Sequence, residues 1–146
     1  MNKSSWEIEF DQRFEEFRRI ESEAISNTLR NGSDGSYKSF SLLSDMETCY
    51  AAKAYSACVV LACIAIESSF GKEMGNKKNL KSMIKKSGYE EDLDWLRELR
   101  NKIVHNEECE FVNYQNVDKS ETDMDSICKK AFKMVHTIYL SPIRMA

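Results

Sequence analysis

The residues best suited to chemistry lie in one stretch, Leu93 to Glu107, reading LDWLRELRNKIVHNE. Leu93, Leu96, Leu99 and Ile103 recur at three- and four-residue steps, the mark of one apolar face of an amphipathic helix. At about 100° per residue, Arg97, Asn101 and His105 fall on a single polar stripe, each four residues after the last. Arg100 lies beside that stripe and within the apolar arc, between the directions of Leu96 and Val104, so its guanidinium is aimed at packed surface. A cation placed there needs a partner or a role. Histidine titrates near neutrality and can move a proton, while arginine offers a planar fork that stabilises phosphate charge. Together they suit acid-base work on an anionic substrate.

That helix must be held by others. The sequence predicts a first helix from about Ser5 to Leu29, opened by the capping pair Ser4 and Glu7. Its stripe is Trp6, Phe10, Phe14, Phe17, Ala24 and Ile25, read as core or dimer interface in preference to a base-stacking surface. Asn31 to Ser36 ends it in a loop. A second helix, from Phe40 to about Ala51, presents Leu42, Leu43, Met46 and Tyr50, with a break near Ala52-Lys53. The third, Ala54 to about Met74, is apolar on most sides and is expected at the centre of the bundle. Glu67 closes its apolar run, either as a helix-end carboxylate reaching solvent or as one orienting Arg100 or His105. A short helix from about Lys77 to Lys86 buries Leu80 and Ile84 and breaks at Ser87-Gly88. The fifth carries the Arg-His stretch, and a loop follows it to Val117. The last runs from about Ser120 to Leu140 with Met124, Ile127, Cys128, Ala131, Met134, Val135 and Ile138 inward, leaving His136 as a surface residue.

Arg100-Asn101, three further residues, then His105 resembles the signature of the HEPN superfamily: Arg, a polar residue and, a few positions on, His, late in one helix of a small bundle. The small-residue-rich third helix with its Glu67 adds to the likeness, although Gly71 stands where members often place Lys. The resemblance implies an all-α up-and-down bundle of five to six helices, HEPN-like throughout, and a metal-independent endoribonuclease of the kind found in toxins and in antiviral or abortive-infection defence. It also implies a homodimer, with the site formed where two motifs face each other. RNA supplies its own 2′-hydroxyl nucleophile, so such a site needs a proton carrier, His105, and a stabiliser of phosphorane charge, Arg100, with Asn101, Glu67 and Arg97 in support. Five residues turn a helix by about 500°, leaving Arg100 and His105 about 140° apart; a two-fold dimer lets one chain's Arg100 complement the other's His105.

HEPN toxins paired with a nucleotidyltransferase antitoxin commonly carry Tyr two residues after the motif His. Glu107 stands there, so that pairing is not expected, and a regulatory partner stays open. Other readings of the same residues are a catalytically silent HEPN-like module binding RNA, nucleotide or protein, and a purely structural adaptor. In these, Arg100 caps a neighbour or pairs with Glu67, and His105 ends its helix near the negative dipole. A nucleotide-transferring enzyme finds no support, since glycine-rich phosphate loop and paired Asp signatures are absent from the chain.

Length and composition agree with a bundle. The 146 residues suit one domain spanning 1–146, with a flexible loop near 31–38. One Pro and five Gly leave few interruptions to helices. The apolar run Ala54 to Ile66 is shorter than a bilayer span, and the polar, acidic start is unlike a secretory leader, so a cytoplasmic protein with no membrane partner is expected. Five Cys without a CxxC pair read as reduced core residues, and two His exclude a credible zinc site, so no metal or cofactor is expected. The net charge of −3 conceals an uneven distribution. Met1 to Tyr50 holds ten acidic and six basic residues, whereas Lys72, Lys77, Lys78, Lys81, Lys85 and Lys86 face Glu73 alone. These lysines are the expected RNA contacts.

Overall fold

A computed structural model describes residues 2–29, 37–75, 79–105 and 117–140, with the side chains of 27–29, 37–40, 73, 117–121 and 140 left aside. Among them are six helices and no strand: α1 (Ser5–Leu29), α2 (Tyr37–Ala51), α3 (Tyr55–Met74), α4 (Leu80–Ser87), α5 (Glu90–Val104) and α6 (Val117–Leu140). The expected all-α bundle is what forms. The loop near 31–38 falls largely outside the described residues, as does the segment containing Glu107.

Local chemistry explains the helix ends. Ser4 and Glu7 form a reciprocal capping box, Ser4 N donating to Glu7 Oε2 at 2.7 Å and Glu7 N to Ser4 Oγ at 3.3 Å. The break between α2 and α3 falls at Lys53, which adopts φ 60°. Asn79 caps α4 by accepting from Ser82 N at 2.8 Å. Gly88 ends that helix in the left-handed region, at φ 85°, where a side chain would be strained. Glu90, Glu91 and Asp92 complement the N-terminal dipole of α5.

α3 packs against α2, α4, α5 and α6 and is the hub of the bundle. Cys58, Val59, Ala62, Cys63, Ala65, Ile66 and Phe70 form its inner face. Its other face stays open, with Ala57 and Glu67 exposed and Ile64 43% exposed. The helix extends beyond its apolar run, and Tyr55–Lys72 would suffice by length and composition to cross a membrane; here 44% of that segment is buried within the bundle.

The other half of the core is aromatic. Phe17 of α1 lies between Tyr50 of α2 and Phe132 of α6, with ring centroids 4.0 Å away on either side. The rest of the expected α1 stripe behaves differently. Phe17 is fully buried, Phe10 and Phe14 are half-buried, and Trp6 and Ile25 are exposed. The stripe is longer than the surface α2 and α6 offer it.

His136 corrects the sequence reading. It is buried, 4% exposed, and its ring stands edge-on to Phe132 at 4.6 Å. α6 is enclosed over a wider arc than its apolar stripe, because α1 covers a flank that the one-face argument left to solvent.

Candidate functional site

α5 rests on α3 through Leu93, Leu96 and Leu99, all buried. Arg100 follows on the same flank and is half-buried. Its Nε is enclosed and has no hydrogen-bond partner among the described residues. Beneath it lies Cys63 of α3, whose thiol donates to the Leu96 carbonyl at 3.7 Å. Burial pushes that thiol up to about 12, the positive charge of Arg100 opposing and the negative charge of Glu67 adding to the rise. The charges of Arg100 on α5 and of Glu67, one turn along α3 from Cys63, thus act on the same thiol in opposite senses. Ile64, next to Cys63 on α3, and Val104, one turn after Arg100 on α5, are 43% and 57% exposed.

The polar stripe divides into an engaged and an open part. Arg97 is drawn back onto its own helix, its Nε donating to Asp94 Oδ1 at 2.8 Å, with Glu98 3.8 Å from Nη2. The hydrogen bond to Asp94 comes first in raising the Arg97 pKa, and the same bond lowers that of Asp94. Asn101 is half-buried, and its carbonyl accepts from His105 N at 3.0 Å. His105 is the C-terminal cap of α5 and its side chain is exposed. Within one chain Arg100 and His105 therefore occupy the same end of α5 in unlike environments, one wedged against α3 and the other in solvent.

Of the lysines, Lys72, Lys81, Lys85 and Lys86 are exposed, and Lys77 and Lys78 lie outside the described residues. α4 packs on α5, and the charge of Lys81 adds a little to the lowering of the Asp94 pKa. From Asp94 to His105 is eleven residues, about 16 Å along a helix axis.

Two polar clusters escaped the sequence reading. In the first, Arg13 donates to Asp125 Oδ2 at 2.7 Å, to Tyr55 Oη at 2.9 Å and twice to the Tyr50 carbonyl at 3.1 and 3.0 Å. Its guanidinium also lies 4.2 Å from the Tyr50 ring centroid. Tyr50 Oη donates within reach of both Glu16 and Asp125 at 3.0 Å, and Lys129 bridges the same two carboxylates. Burial works against the Asp125 charge, yet the hydrogen bonds from Arg13, Tyr50 and Lys129 hold its pKa below the ordinary value. The second cluster joins α1, α2 and α6: Glu47 is buried, pushed up to about 8 by burial and then by its hydrogen bond with Glu21. His136 Nε2 is buried there without a partner; burial lowers its pKa, with Glu21 opposing. The signal for the first cluster was present: Arg13 falls three residues after Phe10 and four before Phe17, inside an apolar arc, as Arg100 does. Its partners lie 37 and 112 residues away, where no local pattern reaches.

Among the described residues no group of three or more His, Cys, Asp or Glu is gathered as metal ligands. Comparison with protein-family models, with curated proteins and with solved structures finds no match to this chain.

Proposed function

We propose that the chain is a metal-independent endoribonuclease of HEPN type, acting as a homodimer through the α3–α5 face, in a defence or RNA-processing setting. The observation that carries this reading is the Arg100 side chain: half-buried, with an enclosed Nε that has no hydrogen-bond partner among the described residues, on the same end of α5 as exposed Val104 and His105. A buried donor without an acceptor is costly, on the order of 1–3 kcal/mol, and a rotation of the side chain that brings the fork out to an arriving phosphate would relieve that cost. The exposed apolar Val104 at the same helix end favours closure by a second copy. In such a dimer His105 of one chain removes the 2′-hydroxyl proton as the 2′-oxygen bonds to phosphorus, and Arg100 of the other stabilises the phosphorane; the P–O5′ bond then breaks, giving a 2′,3′-cyclic phosphate, and the departing 5′-oxygen takes the proton back from His105. Asn101 holds the helix end, and Glu67 orients the guanidinium. Arg97, already bound to Asp94, keeps the stripe rigid and does not meet substrate. RNA longer than one nucleotide would run from Lys81, Lys85 and Lys86 along α5 to His105.

The test is cleavage of single-stranded RNA in EDTA, with DNA of the same sequence left intact for lack of a 2′-hydroxyl. His105→Ala and Arg100→Ala should each reduce cleavage by about a hundredfold or more without changing the circular dichroism of the bundle. Arg100→Lys should be nearly as poor, because a point charge does not reproduce the fork. Cleavage that survives both alanine substitutions would overturn the proposal. RNA or nucleotide binding without cleavage would assign the chain to the silent HEPN-like modules instead.

A further inference from the structure

α1 carries a surface feature that the proposed site does not use. Trp6, 63% exposed, stacks on Phe10 with ring centroids 5.4 Å apart, and Phe10 on Phe14 at 6.2 Å. The guanidinium of Arg18 closes the series, 4.8 Å from the Phe14 ring. Four residues at four-residue steps thus make a ladder running Trp, Phe, Phe, Arg along the helix. Among the described side chains of α1, Phe17, one position aside from Arg18, is fully buried in the core, and Ile20 packs against it partly buried.

We infer that this ladder is a self-association surface, on which α1 of a second copy packs antiparallel about a two-fold axis near residue 12. Reversed against itself, the order is complementary. Phe10 meets the partner's Phe14, and Trp6, the best aromatic acceptor for a cation, meets the partner's Arg18; the symmetry makes each contact twice. Single-stranded nucleic acid, the other occupant an aromatic ladder suits, fits poorly because Ser5–Leu29 holds seven acidic residues against three arginines. The same acidity does not forbid the helix pair. Glu7 accepts from its own helix start, and Glu9, Asp11 and Glu16 are bridged by Lys53, Lys3 and Lys129. The surface is distinct from the α3–α5 face, so a chain using both would assemble beyond the dimer.

Sedimentation of the full chain separates the two faces. Val104→Asp removes the α3–α5 contact and should leave a dimer. Adding Trp6→Ala or Arg18→Ala should then weaken that dimer about tenfold or more, with helix content unchanged because Trp6 is exposed. A photoreactive benzoylphenylalanine in place of Trp6 should cross-link to the partner near Arg18. A Val104→Asp chain that is monomeric to high micromolar concentration would overturn the inference without touching the proposal that the unmutated chain dimerises through its α3–α5 face. So would a dimer indifferent to Trp6, or cross-links that fall on α3 or α5.

Discussion

The molecule has two sides, each with an arginine set into an apolar helix face. At the junction of α1, α2 and α6, Arg13 uses its guanidinium on Asp125, Tyr50 and Tyr55 and is closed over by rings. On the α3–α5 side Arg100 is likewise set beside core residues, yet its enclosed Nε has no partner among the described residues, and Val104 one turn on is exposed. The same anomaly in sequence thus has two outcomes. One arginine is bonded into the fold; the other has an enclosed Nε with no partner among the described residues. The difference teaches that an out-of-place charge identifies a question, and its partners answer it.

The sharpest way to break this contrast is to delete each arginine. Arg13→Ala strands Asp125 and the Tyr50 carbonyl at a largely enclosed site and should destabilise the fold by about 3 kcal/mol, read as a shifted midpoint in urea. Arg100→Ala should cost less than about 1 kcal/mol, since it also removes an unpartnered donor. Equal losses in the two variants would end the distinction between a structural and a functional arginine.

A second test uses pH on the closed side. Folded Glu47 keeps its proton up to about 8, whereas the carboxyl of an unfolded chain releases it near 4.5. The folded state binds more protons in that window, so this group's contribution declines as pH rises from 4.5 to about 8. His136 acts oppositely: its lowered pKa removes stability as pH falls below 6.5. Glu47→Gln should stabilise the protein at pH 8 by on the order of 2 kcal/mol and flatten the alkaline side of the curve. The acid side should stay unchanged. Stability of the wild type that rises between pH 6.5 and 8 would contradict a buried protonated Glu47.

The smallest effect belongs to the open side. Lys81, Lys85 and Lys86 are exposed, so reversing them to Glu should leave the unfolding midpoint nearly unmoved. RNA affinity at low salt should fall, and its dependence on salt should lose about 2 units of slope. An unaltered slope would return these lysines to ordinary solvated surface.

What the sequence determined by itself is what neighbours along the chain determine. The Ser4–Glu7 box, the Gly88 stop, the break before α3 and the leucine face of α5 are all set within about one helical turn, and each is found in the structure. Periodicity likewise separated the buried face of α5 from its polar stripe. Tertiary structure alone decided which faces would be covered and by what. His136 is buried because α1 crosses its flank, Trp6 is exposed because α1 outruns its neighbours, and Arg13 is satisfied by residues up to 112 positions away. Arg100 had the same local signature, and its enclosed Nε is left without a partner among the described residues. Helix propensity and capping act over a few residues, whereas burial is decided by packing between segments remote in sequence; only the latter distinguishes a satisfied charge from an available one.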